Sequence, residues 1–455
     1  MKKWLSCLAA AVLLAALCAP LALAQWQLPF ETNAQAVYLV NLDTGIVVYE
    51  QNAHERRAPA SLTKMMTALL LLESGEDLET VVTIPEHLQA EFDFIQSENG
   101  SDAELEIGEQ VTLRDLLYGM LLPSGNDAAS VLGDYLGNGD RDAFARRMTE
   151  RAAQLGCKDT SFSCAHGLAD IEDGNWSTAY DMALIAQACS RQPLFMEVVM
   201  TPEWWMPLSN QHTKPKKYSD GTEVPEGMAY RVRNTNSMIK PENSIYRPYI
   251  RGMKTGFTNQ AGRCFASMAV QNGETWLLVV LGAQKAPAED GFNYAMHDTA
   301  DIYDWALERF SVGAVLDGDM PAAQLPLAYC KAAEQAAVYP AGNIISLVDK
   351  EQPAQLALQL PEQLEAPLTA GQVVGTAQVL VNGEAIGTVQ LEVREDLPRS
   401  RWLYFKATVR PGQVALIAAA AVILLLLTAF VLRVVWVRRR RARRRAQWKQ
   451  RNYTF

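Results

Sequence analysis

Apolar runs mark both ends of the 455-residue chain, and shorter periodic segments fill the stretch between them. Leu8 to Leu23 is almost wholly apolar and comes after Lys2 and Lys3. Ala22-Leu23-Ala24 then offers a small-residue cleavage site, so residues 1–24 read as a secretory signal peptide. Val414 to Leu432 is apolar except for Thr428, close to the roughly 20 residues that cross a bilayer as a helix. This predicts one transmembrane helix over 413–437.

Between the ends the pattern alternates in period. Ala36 to Asn41 and Ile46 to Glu50 read as strands joined by the turn Asp43-Thr44-Gly45. Ser61 to Glu73 is dense in Leu, Met and Ala and predicts a helix. Another starts at Thr112, with Asp115 in a capping-box-like position, and stops before Pro123. Asn126 to Leu136 predicts the next, and Ser177 caps a further one through Ile185. Lys254 opens a late strand. Cys264 to Gln271 and Thr275 to Leu281 pair across Asn272-Gly273, a strong hairpin signal. Ala300 to Phe310 reads as a closing helix. Two early strands, three late ones and intervening helices predict one antiparallel sheet covered by helices on both faces.

Residues 202–250 carry Trp204-Trp205, several prolines and little periodicity, and read as a long excursion with the tryptophans in a local core. Beyond residue 311 lie short β-like runs, among them Ile344 to Val348, Ala354 to Leu360, Val373 to Val381 and Ala385 to Val393. The expected domains are therefore 25–311, a mixed catalytic domain, and 312–395, a small β-domain acting as a pedestal. A linker over 396–412 leads to the span, and a basic tail occupies 438–455.

Charge sharpens this division. Removing Lys2, Lys3, Arg433 and the nine basic residues beyond Val437 leaves 29 basic against 51 acidic residues, a net charge of −22. Such a surface disfavours nucleic acid. The run from Arg438 to Arg445 lies directly after the span, which assigns it to lipid headgroups and, by the positive-inside rule, to the cytoplasm. The catalytic part then faces outward. Five cysteines lie beyond the leader, an odd number without a repeat; Cys157 and Cys164 are the pair that could bridge. No Cys/His spacing suggests a metal, and no cofactor is expected.

Three short motifs carry the chemistry: Ser61-Leu62-Thr63-Lys64, Ser124-Gly125-Asn126 and Lys254-Thr255-Gly256. Ser61 and Lys64, three apart on a helix, face the same way. A serine becomes a nucleophile when a neighbour takes its proton. Lys64 can do so if burial and a second cation such as Lys254 lower its pKa from about 10.4 toward 7, worth roughly 4 to 5 kcal/mol. A hydroxyl at Ser124 can pass a proton, and the amide of Asn126 can hold a peptide bond. Lys254 and Thr255 suit a substrate carboxylate. Gly256 lets a substrate backbone lie close to an edge strand, and the Phe257 N–H can donate to an oxyanion.

The order and surroundings of these motifs resemble those of the serine penicillin-recognising enzymes. More narrowly, they resemble the low-molecular-mass penicillin-binding proteins that are D-alanyl-D-alanine carboxypeptidases. The likeness extends over Ala58 to Met66, Leu122 to Ala129, Met253 to Thr258, His166-Gly167-Leu168 and Ser177 to Asp181, and into Ala366 to Val393. It implies an α/β (α+β) fold, a three-layer transpeptidase/β-lactamase-like domain with an antiparallel sheet, plus a small all-β C-terminal domain. It implies that Ser61 attacks the carbonyl between two D-alanines of a peptidoglycan stem peptide and forms an acyl-enzyme. Lys64 would be the base, Ser124 the relay and Asn126 a clamp. Lys254 and Thr255 would bind the carboxylate, with Gly256 beside them and the Ser61 and Phe257 N–H groups as oxyanion hole. β-Lactam antibiotics would acylate Ser61.

The chain departs from that pattern in places. Cys164-Ala165 precedes His166, and Lys285 to Asp301 lacks the arginine that relatives often carry near the substrate carboxylate. Two other readings share the motifs. A β-lactamase would need a fast deacylation base, for which Glu172-Asp173-Gly174-Asn175 has the wrong spacing. A silent wall-binding protein would not need Ser61, Lys64 and Lys254 intact.

Overall fold

The computed structural model describes residues 26–168, 174–284 and 293–452. The signal peptide and the Glu172-Asp173 pair lie outside the described residues. The chain divides into two compact units. One runs to Val315 and takes in Ile344–Gln355 and Val379–Ile386; the other comprises Leu316–Asn343, Leu356–Gln378 and the chain from Gly387 onward.

The first unit is built on a five-stranded sheet of β1 (Ala36–Asn41), β2 (Val47–Gln51), β3 (Lys254–Thr258), β4 (Gly262–Gln271) and β5 (Glu274–Ala283), in the order β2-β1-β5-β4-β3. Every neighbouring pair is antiparallel. The β4–β5 hairpin turns where the sequence predicts it, with φ of 55° at Asn272 and 84° at Gly273, the left-handed pair that a two-residue turn requires. β3 is an edge strand, as expected for the Lys254 segment.

Both faces of the sheet are covered, and strand alternation divides its side chains between two cores. Ala36, Tyr38, Leu277, Val279 and Ala266 join one core with Leu62, Met65 and Leu69. Val37, Leu39, Leu278, Val280 and Phe265 join the other with Ile302, Tyr303 and Ala306. The first face carries α1 (Lys64–Glu73), α2 (Leu113–Leu121), α3 (Asn126–Leu136) and α4 (Ala179–Ser190), and the second carries α5 (Tyr294–Arg309). This is the three-layer arrangement the sequence predicts.

Local differences have local causes. Ser61 lies in a 3-10 turn, Ala60–Thr63, and the α-helix proper begins at Lys64. The cap of α4 is Thr178, whose hydroxyl accepts the Asp181 N–H at 3.0 Å, while the Ser177 hydroxyl bonds Thr160 at 2.8 Å. The 202–250 excursion contains a hairpin, Glu203–Pro207 with Met228–Arg233. Trp204 stacks on Tyr118 at 3.8 Å and donates to Asp115 Oδ1 at 2.9 Å, so it is local core as read from sequence. The five described cysteines are free thiols, and the Cys157–Cys164 bridge is not formed.

In the second unit a core of Leu327, Val338, Ala377, Leu391 and Val393 forms within β-structure. Strands Ala323–Ala328 and Gln335–Pro340 escape the pattern reading because proline and small residues blur their alternation. The stretch read as linker contains α6 (Arg401–Thr408), and α7 (Pro411–Asn452) carries the apolar run and the arginines in one helix. Among the described residues α7 is the one helix long and apolar enough to cross a membrane.

Candidate active site

The three motifs converge. A cleft of about 450 Å³ is lined by Ser61, Ser124, Asn126, Thr255, Gly256 and Phe257, among others. Lys64 and Lys254 lie under its floor, 0% and 1% exposed.

Lys64 is the hub. Its Nζ stands 2.8 Å from Ser61 Oγ, 2.7 Å from Asn126 Oδ1 and 2.9 Å from the His166 carbonyl oxygen. Asn126 Oδ1 and the His166 carbonyl can only accept. A neutral amine therefore spends its two N–H bonds on them and turns its lone pair toward the Ser61 hydroxyl. Burial makes that form accessible by pushing Lys64 down to about 7, against a smaller opposing pull from Cys164 and Asp127. The expectation named burial and Lys254 together, and burial is the largest cause at Lys64. Lys254 is itself held well below its ordinary value, by burial first and then by the Lys64 charge.

The second motif is placed by backbone geometry. Ser124 has φ of 68°, a left-handed conformation uncommon for a side-chain-bearing residue. The Asn126 N–H and Nδ2 both donate to the Ser101 carbonyl, at 2.8 and 2.9 Å. One Nδ2 N–H remains for a ligand. Asp127, buried beside it, accepts N–H groups of Ala103, Leu105 and Ala128 at 2.8 to 3.1 Å, and burial raises its pKa to about 6. These bonds tie the cleft wall at 101–105 to the start of α3.

The third motif closes the other side. Lys254 Nζ donates to the Thr255 carbonyl at 2.8 Å. The Thr255 hydroxyl meets that of Thr235 at 2.6 Å, and the Thr235 N–H bonds the Leu122 carbonyl at 2.9 Å. Thr235 thus links the second and third motifs. Pattern reading missed it because it sits in an aperiodic stretch. Gly256 has a packing reason as well: a Cβ there would stand 3.0 Å from Leu62 Cδ1 and 3.1 Å from the Ser61 nitrogen. Its bareness lets β3 approach the nucleophile turn. Phe257, 38% exposed, forms the lip.

The arrangement can perform acyl transfer: a buried base touches a hydroxyl at the floor of a polar cleft, with hydroxyl and amide groups around it. The family model for D-alanyl-D-alanine carboxypeptidase matches residues 23–285, more than half of the chain. The chain belongs to the D-alanyl-D-alanine carboxypeptidase family. A second model, the penicillin-binding protein 5 C-terminal domain, matches 332–399. Among relatives, the chain is 27% identical over 381 residues to D-alanyl-D-alanine carboxypeptidase DacF of Bacillus subtilis, covering 82% of this chain and 88% of that one. It is 29% identical over 380 residues to D-alanyl-D-alanine carboxypeptidase DacA of Escherichia coli, covering 82% and 85%. Among solved structures, the D-alanyl-D-alanine carboxypeptidase DacD of Francisella tularensis superposes with a TM-score of 0.60 at 25% identity, over 84% of this chain and 99% of that one. A low-molecular-mass penicillin-binding protein is thus the group to which both units of the chain are similar.

Proposed function

We propose that this member of the carboxypeptidase family is a serine-type D-Ala-D-Ala carboxypeptidase that trims the terminal D-alanine from peptidoglycan stem pentapeptides. The observation that carries this reading is the 2.8 Å contact between Lys64 Nζ and Ser61 Oγ, with the amine's other partners both acceptors.

Neutral Lys64 takes the Ser61 proton as Oγ attacks the carbonyl between the two D-alanines. Negative charge develops on the carbonyl oxygen, where the Ser61 and Phe257 N–H groups receive it. Collapse expels the last D-alanine, and its nitrogen takes the proton through the Ser124 hydroxyl. Water then hydrolyses the Ser61 ester along the same proton path. Asn126 holds the substrate amide, while Thr255, with Lys254 behind it and bare Gly256 beside it, borders the terminal residue. A β-lactam acylates Ser61 in the same way, but its expelled nitrogen stays tethered, so the ester persists. The substrate side of the cleft faces outward, α7 crosses the membrane over 413–437, and the arginines from Arg438 engage headgroups on the cytoplasmic side.

The test is mass spectrometry of purified muropeptides after incubation with the protein. Pentapeptides lose one alanine, and Ser61→Ala abolishes the loss. Intact pentapeptides alongside cleaved crosslinked dimers would overturn the assignment.

A further inference from the structure

We propose that Arg263 is the cation that recognises the free carboxylate at the end of the substrate, an assignment that rests on the carboxypeptidase reading above. An enzyme that removes only a C-terminal residue must distinguish a terminal carboxylate from a chain that continues. A positive donor aimed at that carboxylate supplies the distinction, because an uncharged terminus leaves it unpaired.

Lys254 is poorly suited to the task. It is buried, and it already donates to the Thr255 carbonyl at 2.8 Å. Among the described residues lining the cleft, Arg263 is the one cationic side chain and Glu98 the one anionic.

Register places Arg263 beside the third motif. It stands on β4 directly opposite Phe257 on β3, two positions along from the Thr255–Phe265 pair. Side chains alternate along a strand, so Thr255, Phe257 and Arg263 share the face of Phe265, opposite the face that Gly256 turns to Ser61. All three line the cleft at the open edge of β3, with Arg263 and Thr255 in a diagonal relation that a long side chain spans. The Arg263 guanidinium carbon sits 5.1 Å from the Phe257 ring centroid, which fixes the head group at the lip of the cleft. Its Nε is buried with no hydrogen-bond partner among the described residues. Two other half-buried arginines are ion-paired, Arg231 with Glu203 and Asp220 and Arg309 with Asp349 and Glu351. A planar, permanently charged fork in a polar cleft matches a carboxylate in shape and charge. The Thr255 hydroxyl, paired with Thr235, supplies a further donor on the same side. Arg263 supplies the cleft with an arginine in a chain whose stretch from Lys285 to Asp301 contains none.

The experiment compares kcat/KM of the full-length protein in detergent on two peptides. One is an N-acylated tripeptide ending in two D-alanines, and the other is its C-terminal amide. The wild-type protein prefers the acid by at least ~100-fold. In Arg263→Ala that preference falls below about 5-fold, chiefly through KM for the acid. Arg263→Lys keeps the charge but not the fork, and retains an intermediate preference. An acid preference left intact in both variants, even with lower overall activity, overturns the role of Arg263 and leaves the carboxypeptidase reading standing. A wild-type protein that cleaves neither peptide overturns both.

Discussion

Lys64 Nζ and the His166 carbonyl oxygen are 2.9 Å apart, and this contact helps decide what the lysine can do. A carbonyl only accepts, so it draws an N–H away from the nucleophile and leaves the lone pair of a neutral Lys64 facing Ser61. The Cys164-Ala165-His166 segment, a departure from the family pattern in sequence, thereby acts on the base through its backbone. The Thr67 hydroxyl reinforces it by donating to the Ala165 carbonyl at 2.7 Å.

Removing the base should cost rate without removing the nucleophile. Lys64→Met is expected to slow acylation of Ser61 by fluorescent penicillin about 10³-fold, the scale of general-base catalysis. Labelling stopped at set times and read on gels checks this. Labelling at the wild-type rate would remove Lys64 from the mechanism.

The acylation rate should rise with pH along a limb centred near 7, where Lys64 loses its proton. Asn126→Asp places a carboxylate where Oδ1 now stands, 2.7 Å from Nζ. An opposite charge at that range favours the ammonium and moves the limb up by about 1 to 3 units. A pH–rate profile of penicillin acylation reads both outcomes.

The same lysine makes stability depend on pH. Its folded pKa, about 7, lies below the ordinary 10.5, so between these values the unfolded chain binds more protons than the folded one. This contribution therefore raises stability as pH climbs from 7 to 10.5 and is lost as pH falls through that window. Lys64→Met removes the slope, which denaturant unfolding at pH 7 and pH 9 measures as a smaller difference between the two pH values than in wild type.

Gly256→Val should damage both packing and activity. Its side chain would press on Leu62 and the Ser61 backbone, and overpacking of this kind costs about 1 to 3 kcal/mol. A lower unfolding temperature together with weak penicillin labelling is the expected result. Unchanged labelling would show that β3 can withdraw from the nucleophile turn without cost.

Deleting the chain from Pro411 onward, α7 included, should release the protein from membranes. The truncated chain is expected in the soluble fraction, and the full chain in the fraction that needs detergent. Fractionation and then fluorescent penicillin labelling measure both partition and site integrity.

Much of the catalytic layer was legible in the order of residues. The continuous apolar runs of β1 and β5 report strands covered on both faces, Asn272-Gly273 reports its own turn, and Pro123 reports the end of α2. These are local rules, satisfied by neighbours along the chain. The motifs likewise named Ser61, Lys64, Ser124, Asn126, Lys254 and Thr255 as candidates before any distance was known.

Tertiary structure decided what depends on groups far apart in the chain. Burial of Lys64, which lowers its pKa, is a property of the packed layers and has no counterpart in Ser61-Leu62-Thr63-Lys64. The link from Thr235 to Thr255, and the cleft-facing position of Arg263, depend on strand register and on an aperiodic excursion folding back. Periodicity is silent there, because a hydrogen bond between remote segments leaves no mark on the spacing of either one.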